Sequence, residues 1–186
     1  MRITGGEWAS RRVAGPGRAA ALRPTPDTLR EQAFAVLAPG LAGEPFLDLF
    51  AGTGVVSLEA LSRGAATAVL LERSPAAVAL IRRNFAALAV PPERFEVLAG
   101  EASRALARLA ARRFAAAFAW CDPPFAAWDE GVRTLALARE LGVLGGGAAV
   151  VIEAPPKMTP ALAGFEVVRQ LRGAFLLRLA GGASAR

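Results

Sequence analysis

The chain has 186 residues, 54% of them hydrophobic, and a formal net charge of +6, which suits one domain with a sizeable core and excludes a disordered chain. It contains one cysteine, Cys121, and no histidine, so a disulfide framework, a cysteine-based zinc cluster, a Ser-His-Asp triad and a Cys-His pair are excluded. No apolar run reaches the roughly 20 residues of a membrane span, and the first residues lack the apolar core of a secretion signal. The composition predicts a cytoplasmic protein without a metal site or a membrane partner, which works through carboxylates, hydroxyls, backbone groups or a bound cofactor.

The basic balance of the chain favours a polyanionic partner such as nucleic acid. Residues 1–24 are the most basic part, with one acid, Glu7, and five glycines and prolines between residues 5 and 17. The arginines of this segment are Arg2, Arg11, Arg12, Arg18 and Arg23. We expect residues 1–24 to form a surface arm or hairpin that adds little to the core and either grips nucleic acid or is simply solvated. Residues 25–186 are expected to form the main domain.

Helices and strands alternate along the rest of the chain. Thr25 and Pro26 resemble a helix start, with Thr25 as a capping candidate, and Pro39-Gly40 predicts the end of that helix. In chain order we predict a helix at 26–38, a strand at 46–50, a helix at 55–63, a strand at 67–72, a helix at 75–88, a strand at 95–99, a helix at 102–113, a strand at 114–121, a helix at 128–141, a strand at 148–153 and a closing hairpin at 165–172 and 175–180.

This alternation predicts an α/β fold with a mostly parallel sheet of seven strands, covered by helices on both faces. Sheets of this kind bind ligands beyond the carboxyl ends of their strands, at the point where the strand order reverses. The motifs that follow strands are therefore the candidates for function.

The first strand leads into a loop, residues 48–54, that contains an acid and two glycines. Gly52 and Gly54 would let the backbone approach a ligand closely, but the position three after Gly54 is Ser57, so the spacing is not that of a dinucleotide site. Asp48 would repel a pyrophosphate and suits a cation. We therefore predict that Asp48, Phe50, Gly52 and Gly54 bind S-adenosylmethionine, which carries a sulfonium and an ammonium group.

Acids also follow the second and third strands. Glu72, beside Arg73, is placed to hydrogen-bond the two hydroxyls of a ribose, as an acid after the second strand does in nucleotide-binding folds. Glu101 and the Ala102 amide could hold the adenine edge of the cofactor. The alternative for both acids is a helix-capping role, in which a carboxylate interacts with the helix dipole.

The fourth strand ends in Asp122-Pro123-Pro124-Phe125, the sharpest motif of the chain. The two prolines predict a rigid turn without competing N–H groups. Their carbonyls and the Asp122 carboxylate could converge on a planar amine, and Phe125 offers a face for stacking a base. Methyl transfer to an aromatic amine needs such positioning and acceptor groups and does not need a histidine. The alternative is a structural Pro-Pro loop with a buried phenylalanine.

Three segments, LRPTPDTLREQAF (22–34), DLFAGTGVVSLEALSRGA (48–65) and CDPPF (121–125), together resemble the bacterial 16S ribosomal RNA guanine-N2 methyltransferases of the RsmD type. The opening RITGGEWASRRV (2–13) is also similar to that family. The resemblance implies a Rossmann-like class I S-adenosylmethionine-dependent methyltransferase fold with an antiparallel last strand. It also implies transfer to the exocyclic N2 amine of one guanine in small-subunit ribosomal RNA, either naked or in an assembled or assembling subunit.

The same resemblance assigns roles to residues outside the strand ends. Arg23, Thr25, Asp27 and Arg30 match the family's signature before the domain and are expected to close over cofactor and substrate. With Arg2, Arg11 and Arg12 they are the candidate substrate-binding residues. Family members usually have a tyrosine in the last strand, where this chain has LLRLA (176–180); the departure leaves open whether that position packs or touches the substrate.

Other functions remain as alternatives at this point. One is an amine methyltransferase acting on adenine in DNA or RNA or on a protein glutamine, although a separate recognition domain is missing. Another is a non-catalytic nucleic-acid-binding module. A nicotinamide dehydrogenase is disfavoured by the glycine spacing.

Overall fold

The computed structural model describes residues 1–16 and 25–180. Its helices are α1 (Asp27–Leu41), α2 (Val55–Ser62), α3 (Pro75–Ala87), α4 (Ala102–Ala111) and α5 (Trp128–Glu140). Its strands are β1 (Pro45–Asp48), β2 (Thr67–Glu72), β3 (Phe95–Ala99), β4 (Ala116–Cys121), β5 (Leu144–Glu153), β6 (Phe165–Leu171) and β7 (Ala174–Leu179). No helix among these described residues is long and apolar enough to cross a membrane.

The strands form one seven-stranded sheet in the order β3-β2-β1-β4-β5-β7-β6. Strands β1 to β5 pair in parallel, and β7 runs antiparallel to both of its neighbours, β5 and β6. This confirms the predicted fold, including the antiparallel last strand. The strand order reverses between β1 and β4, where Asp48 pairs in register with Trp120. The end of the acid-glycine strand therefore lies beside the start of the Asp-Pro-Pro-Phe loop.

Hydrophobic cores lie on both faces of the sheet. Successive residues of a strand point to opposite faces, and in β1 both Phe46 and Leu47 are fully buried, each in a different core. One core is closed by α1, α2 and α3, and the other by α4 and α5. This burial on both faces explains why the strands are almost continuously apolar.

Two predictions about α1 are wrong. The helix does not end before Pro39 but continues through it to Leu41, whose side chain is fully buried. Burial of Leu37 and Leu41, four residues apart on one helix face, stabilises a last turn that contains proline. Thr25 does not cap the helix either, because its hydroxyl donates to the Glu153 carboxylate instead.

The N-terminal segment contributes more to the core than its composition predicts. Ile3, Trp8 and Val13 are buried against the core formed with α1 and α2. An isolated antiparallel bridge between Arg2 and Arg12 brings the two ends of the segment together, with arginines pointing outward. The expectation that this segment adds little to the core is therefore wrong for residues 1–16. Arg18 and Arg23 lie outside the described residues.

The leucines of the last strand, where the resemblance leads us to expect a tyrosine, pack in the cores. Leu176, Leu177 and Leu179 are buried in the two cores. Residues 176–180 are not among the described residues that line the cavity at the carboxyl ends of the parallel strands. Leucines at these positions therefore fill the sheet faces rather than the site.

Candidate functional site

The carboxyl ends of the parallel strands border a cavity of about 1470 Å³. It lies where the strand order reverses, as expected for a ligand site in this class of sheet. The predicted site residues that line it are Thr25, Asp48, Phe50, Gly52, Glu72, Arg73, Glu101, Ala102, Asp122, Pro123, Pro124 and Phe125. Residues from separate loops, up to 100 positions apart in the chain, are thus brought to one space.

Gly54 lies between the cavity residues Thr53 and Val55, and its contact with the cofactor stays a prediction. Its backbone is left-handed, with φ of 76°, and it precedes the first turn of α2. A Cβ atom here would lie 3.0 Å from Phe85 and 3.2 Å from Ile81 of α3. Glycine is needed at this position for the turn and for the close packing of α3.

Glu72 joins the loops that follow β1 and β2. One carboxylate oxygen accepts a hydrogen bond from the Gly52 amide at 2.8 Å, and the other accepts from the Ser74 amide at 2.8 Å. The helix cap of α3 is Ser74, so Glu72 is not the capping residue. Each carboxylate oxygen keeps acceptor capacity for a ligand hydroxyl. Glu72 can therefore hold the glycine loop and a ribose at the same time.

Glu101 occupies the position before the first turn of α4 and is exposed. Its side chain makes no capping hydrogen bond with any residue that the structure describes. Ala102 follows it at the cavity wall. Arg73 is exposed and lies 3.4 Å from the Glu130 carboxylate, so an ion pair with α5 holds it at the rim of the cavity.

Asp48, at the end of β1, is unusual for a carboxylate residue because its side chain is almost fully buried. Burial raises the pKa of its carboxyl to about 7, although a 2.9 Å hydrogen bond from the Ser57 hydroxyl acts in the opposite direction. The neighbouring Glu72 and Glu153 carboxylates raise that pKa further. A carboxyl of this kind is stabilised as an anion when a cationic ligand enters.

The Asp122–Phe125 loop packs tightly against α5. Gly131 of α5 packs so tightly on it that an added Cβ atom would lie 2.4 Å from the Pro123 ring. Pro123 is buried, whereas Phe125 is 43% exposed, a high value for a large hydrophobic residue. The Pro124 carbonyl accepts a hydrogen bond from the Ala127 amide at 2.7 Å, so it is used within the loop. Phe125 is therefore exposed, and not buried as the alternative of a structural Pro-Pro loop requires.

Glu153, at the end of β5, is a cavity residue that the sequence analysis missed. The Thr25 hydroxyl donates to its carboxylate at 2.7 Å and lies 3.4 Å from the Asp122 carboxylate. The Trp120 indole N–H donates to the same Glu153 oxygen at 3.2 Å. A signal was present, because an acid that ends a run of buried aliphatic residues repeats the pattern of Asp48 and Glu72.

The predicted substrate-binding residues divide into two groups. Arg30 is fully buried and donates to the carbonyls of Thr25 and Arg2, so it positions the backbone and the prediction of a direct substrate contact is wrong. Asp27 forms ion pairs with Arg2 and Arg30, both at 2.9 Å. Arg11 and Arg12 are exposed and form no salt bridge within residues 1–16 and 25–180.

The described residues of the cavity supply carboxylates, backbone groups and cations. Among the described residues, no group of three or more His, Cys, Asp or Glu side chains could hold a metal ion. Cations that sequence analysis did not assign to the site also line the cavity, namely Arg83, Lys157 and Arg172. They come from α3, the loop after β5 and the turn between β6 and β7.

Comparisons with known proteins place this chain in a family. Residues 1–178 match the model of the family described as conserved hypothetical protein 95. The chain belongs to this family. A segment of 71 residues is 48% identical to ribosomal RNA small subunit methyltransferase D of Escherichia coli K12, covering 38% of this chain and 35% of that protein. The resemblance to RsmD-type proteins is thereby confirmed, with the matched segment spanning about a third of the curated relative.

Solved structures show similarity over nearly the whole length of the chain. A protein from Escherichia coli, provisionally named a methyltransferase, superposes with a TM-score of 0.82 at 31% identity over 98% of this chain and 99% of that one. A second protein, named in the same provisional way and solved as a complex with SAH, gives a TM-score of 0.65 at 14% identity over 80% of this chain and 49% of that one. The latter similarity shows the class I methyltransferase fold alone.

Proposed function

We propose that this RsmD-type protein transfers a methyl group from S-adenosylmethionine to the exocyclic N2 amine of a guanine in 16S ribosomal RNA. The observation that carries the proposal is the meeting of two motifs at one cavity: the acid-glycine loop after β1 and the Asp122–Phe125 loop after β4. The name of the Escherichia coli relative supports ribosomal RNA of the small subunit as the substrate. The bacterial cytoplasm is the compartment where that substrate is made.

The cavity residues fit the cofactor by charge and by hydrogen-bonding capacity. Asp48, buried without an ion-pair partner among the described residues, suits the cationic methionine end. Glu72 suits the ribose hydroxyls, and Glu101 with the Ala102 amide suits the adenine. When bound, S-adenosylmethionine supplies an electrophilic methyl group on a sulfonium sulfur. The protein supplies orientation and electrostatic stabilisation.

The Asp122–Phe125 loop fits a planar amine acceptor. The Asp122 carboxyl and the Pro123 carbonyl accept hydrogen bonds, which orient the amine and draw electron density toward its nitrogen. The exposed ring of Phe125 stacks on a base that has left its helix or loop. Such a site selects an exocyclic amine of a base and requires no histidine.

The experiment that tests this function is transfer of labelled methyl groups to small ribosomal subunits and to naked 16S RNA, both from cells that lack the protein. We expect label in N2-methylguanine, and the comparison of the two substrates decides between naked RNA and subunits. Label in adenine or in protein would show that the acceptor is wrong while the methyltransferase fold stands. A complete absence of transfer would favour a non-catalytic binding module.

Replacing Glu72 with alanine should weaken S-adenosylmethionine binding by roughly 1–3 kcal/mol, the usual cost of losing hydrogen bonds to a charged group. The glycine loop would also lose its contact at the Gly52 amide. Isothermal titration calorimetry measures the change. Glu93→Ala, an exposed acid outside the cavity lining, is the matched control and should bind as the wild type does. Equal affinities for both variants would remove Glu72 from the cofactor site.

Replacing Arg11 and Arg12 together with glutamine should weaken RNA binding and reduce the salt dependence of binding. If both side chains contact phosphates, the slope of log affinity against log salt should fall by about 1.4, since each contact with a single strand contributes about 0.7. Filter binding over a range of salt concentrations provides the slope. Deleting the segment would be a poor test, because Ile3, Trp8 and Val13 belong to the core. An unchanged slope would show that these arginines do not contact RNA.

A further inference from the structure

Three side chains from separate elements lie next to one another at the end of the cavity that the Asp122–Phe125 loop borders. Asp122 follows β4, Thr25 precedes α1 and Glu153 ends β5. The Thr25 oxygen lies 3.4 Å from an Asp122 carboxylate oxygen and 2.7 Å from a Glu153 oxygen. Thr25 and Glu153 are both buried, at 6% and 7% exposure. The hydroxyl thus bridges the buried carboxyl group of Glu153 and the half-buried carboxyl group of Asp122.

The directions of the hydrogen bonds indicate which of the two carboxyl groups carries a proton. An indole N–H can only donate, so the Glu153 oxygen that accepts from Trp120 and from Thr25 is an unprotonated acceptor. A hydroxyl has one proton, and Thr25 gives it to Glu153. Because that proton is used at 2.7 Å, we assign the 3.4 Å contact with Asp122 as one in which a protonated Asp122 carboxyl donates to the Thr25 oxygen. The order is Asp122 as donor, Thr25 as link and Glu153 as anion.

The surrounding charges agree with this order. Burial is the main cause that raises the pKa of Asp122, to about 8, and the Glu153 and Asp48 carboxylates raise it further. Burial also raises the pKa of Glu153, whereas its hydrogen bonds with Thr25 and Trp120 and the positive charge of Arg30 lower it. Asp48 from β1 and Arg30 from α1 are thus the other charged groups that act on this pair. The negative charge is best held at Glu153.

We infer that Thr25 and Glu153 are positioning residues that relay, through Asp122, the proton that the amine loses during methylation. The inference rests on the proposed function. As the nitrogen–methyl bond forms, the methyl–sulfur bond breaks and its electron pair stays on sulfur. The amine proton passes to one oxygen of Asp122, the proton on the other oxygen passes to Thr25, and the Thr25 proton passes to Glu153. Asp122 ends neutral, as it began, and the Glu153 anion is neutralised.

Thr25→Val removes the hydroxyl without changing the size of the side chain, and Thr25→Ser keeps it. We expect Thr25→Val to lower kcat by roughly 100-fold or more, since proton transfer by a positioned group typically contributes about 10²- to 10⁴-fold. The affinity for S-adenosylmethionine should change little, and Thr25→Ser should restore most of the rate. Thr28→Val, at an exposed position in the first turn of α1, is the matched control. Wild-type kcat in Thr25→Val would overturn the relay.

The pH profile separates a relay from a structural role. The Thr25 hydroxyl donates to Glu153 and lowers the pKa of that carboxyl, so loss of the hydroxyl raises the Glu153 pKa. The acidic limb of the kcat profile should therefore move to higher pH in Thr25→Val and stay in place in Thr25→Ser. Glu153→Gln keeps an acceptor for Trp120 but should stay slow at every pH. A uniform loss in Thr25→Val, with no movement of the limb, would contradict the relay.

A titration without any acceptor distinguishes this inference from the proposed function. Carbon-13 NMR of labelled aspartate and glutamate carboxyls should show Asp122 and Glu153 titrating as a coupled pair. In Thr25→Val, Glu153 should titrate at higher pH than in the wild type or in Thr28→Val. Independent titration, or no effect of Thr25→Val, would overturn the inference. A coupled titration in a protein that transfers no methyl group would place the failure on the proposed function.

Discussion

Replacing Asp122 with alanine should reduce methyl transfer by at least about 10³-fold while the affinity for S-adenosylmethionine stays nearly unchanged. The carboxyl lies in the acceptor loop, and under the proposed function its contact with the amine is made mainly in the reacting complex. Its removal also disconnects Thr25 and Glu153 from the acceptor. The loss should therefore appear in kcat and much less in cofactor binding.

Single-turnover transfer of labelled methyl to small ribosomal subunits measures this loss, and calorimetry measures cofactor binding. Asp129→Ala, an exposed acid at the start of α5, is the matched control and should keep wild-type activity. Asp122→Asn keeps an acceptor oxygen and should retain more activity than Asp122→Ala. A fully active Asp122→Ala would mean that the acceptor site lies elsewhere.

Replacing Glu59 with alanine should lower the free energy of unfolding by about 3–5 kcal/mol, the usual cost of breaking a buried ion pair by removing one partner. Glu59 and Arg30 are both fully buried, and the distance between the Arg30 Nε and a Glu59 carboxylate oxygen is 3.9 Å. The Thr4 amide donates to the two Glu59 oxygens at 2.6 and 3.0 Å. Loss of this carboxylate leaves the Thr4 amide without its acceptor and removes one counter-ion of the buried Arg30 guanidinium.

Equilibrium unfolding in urea, with the midpoint and slope of each variant compared, gives this free energy. Glu93→Ala again serves as the control, and we expect it to change stability by less than about 0.5 kcal/mol, as surface substitutions usually do. A similarly small change in Glu59→Ala would show that the buried pair contributes little. The contrast also tests whether the N-terminal segment is part of the core, because Thr4 links it to Glu59.

The order of strands and helices could be predicted because it depends on short-range residue patterns. The bounds of β2 and β3 agree with the predicted 67–72 and 95–99, since each strand is a short apolar run between polar residues. The acids at the ends of β1, β2 and β4 could be predicted to share one edge, because parallel strands point their carboxyl ends the same way. Connection rules for such sheets convert local patterns into a common site.

The contacts of Thr25, Arg30 and Glu153 could not be predicted in this way. Thr25 contacts Glu153 across 128 positions of the chain. Arg30 is buried, although arginine side chains are usually exposed. The first segment was predicted to be an arm, yet Trp8 and its neighbours complete a core face that α1 and α2 leave open. Each of these outcomes depends on which surfaces remain to be covered once the helices have packed. A local residue pattern contains no information about that packing, because burial and hydrogen-bond partners are settled between elements distant in sequence.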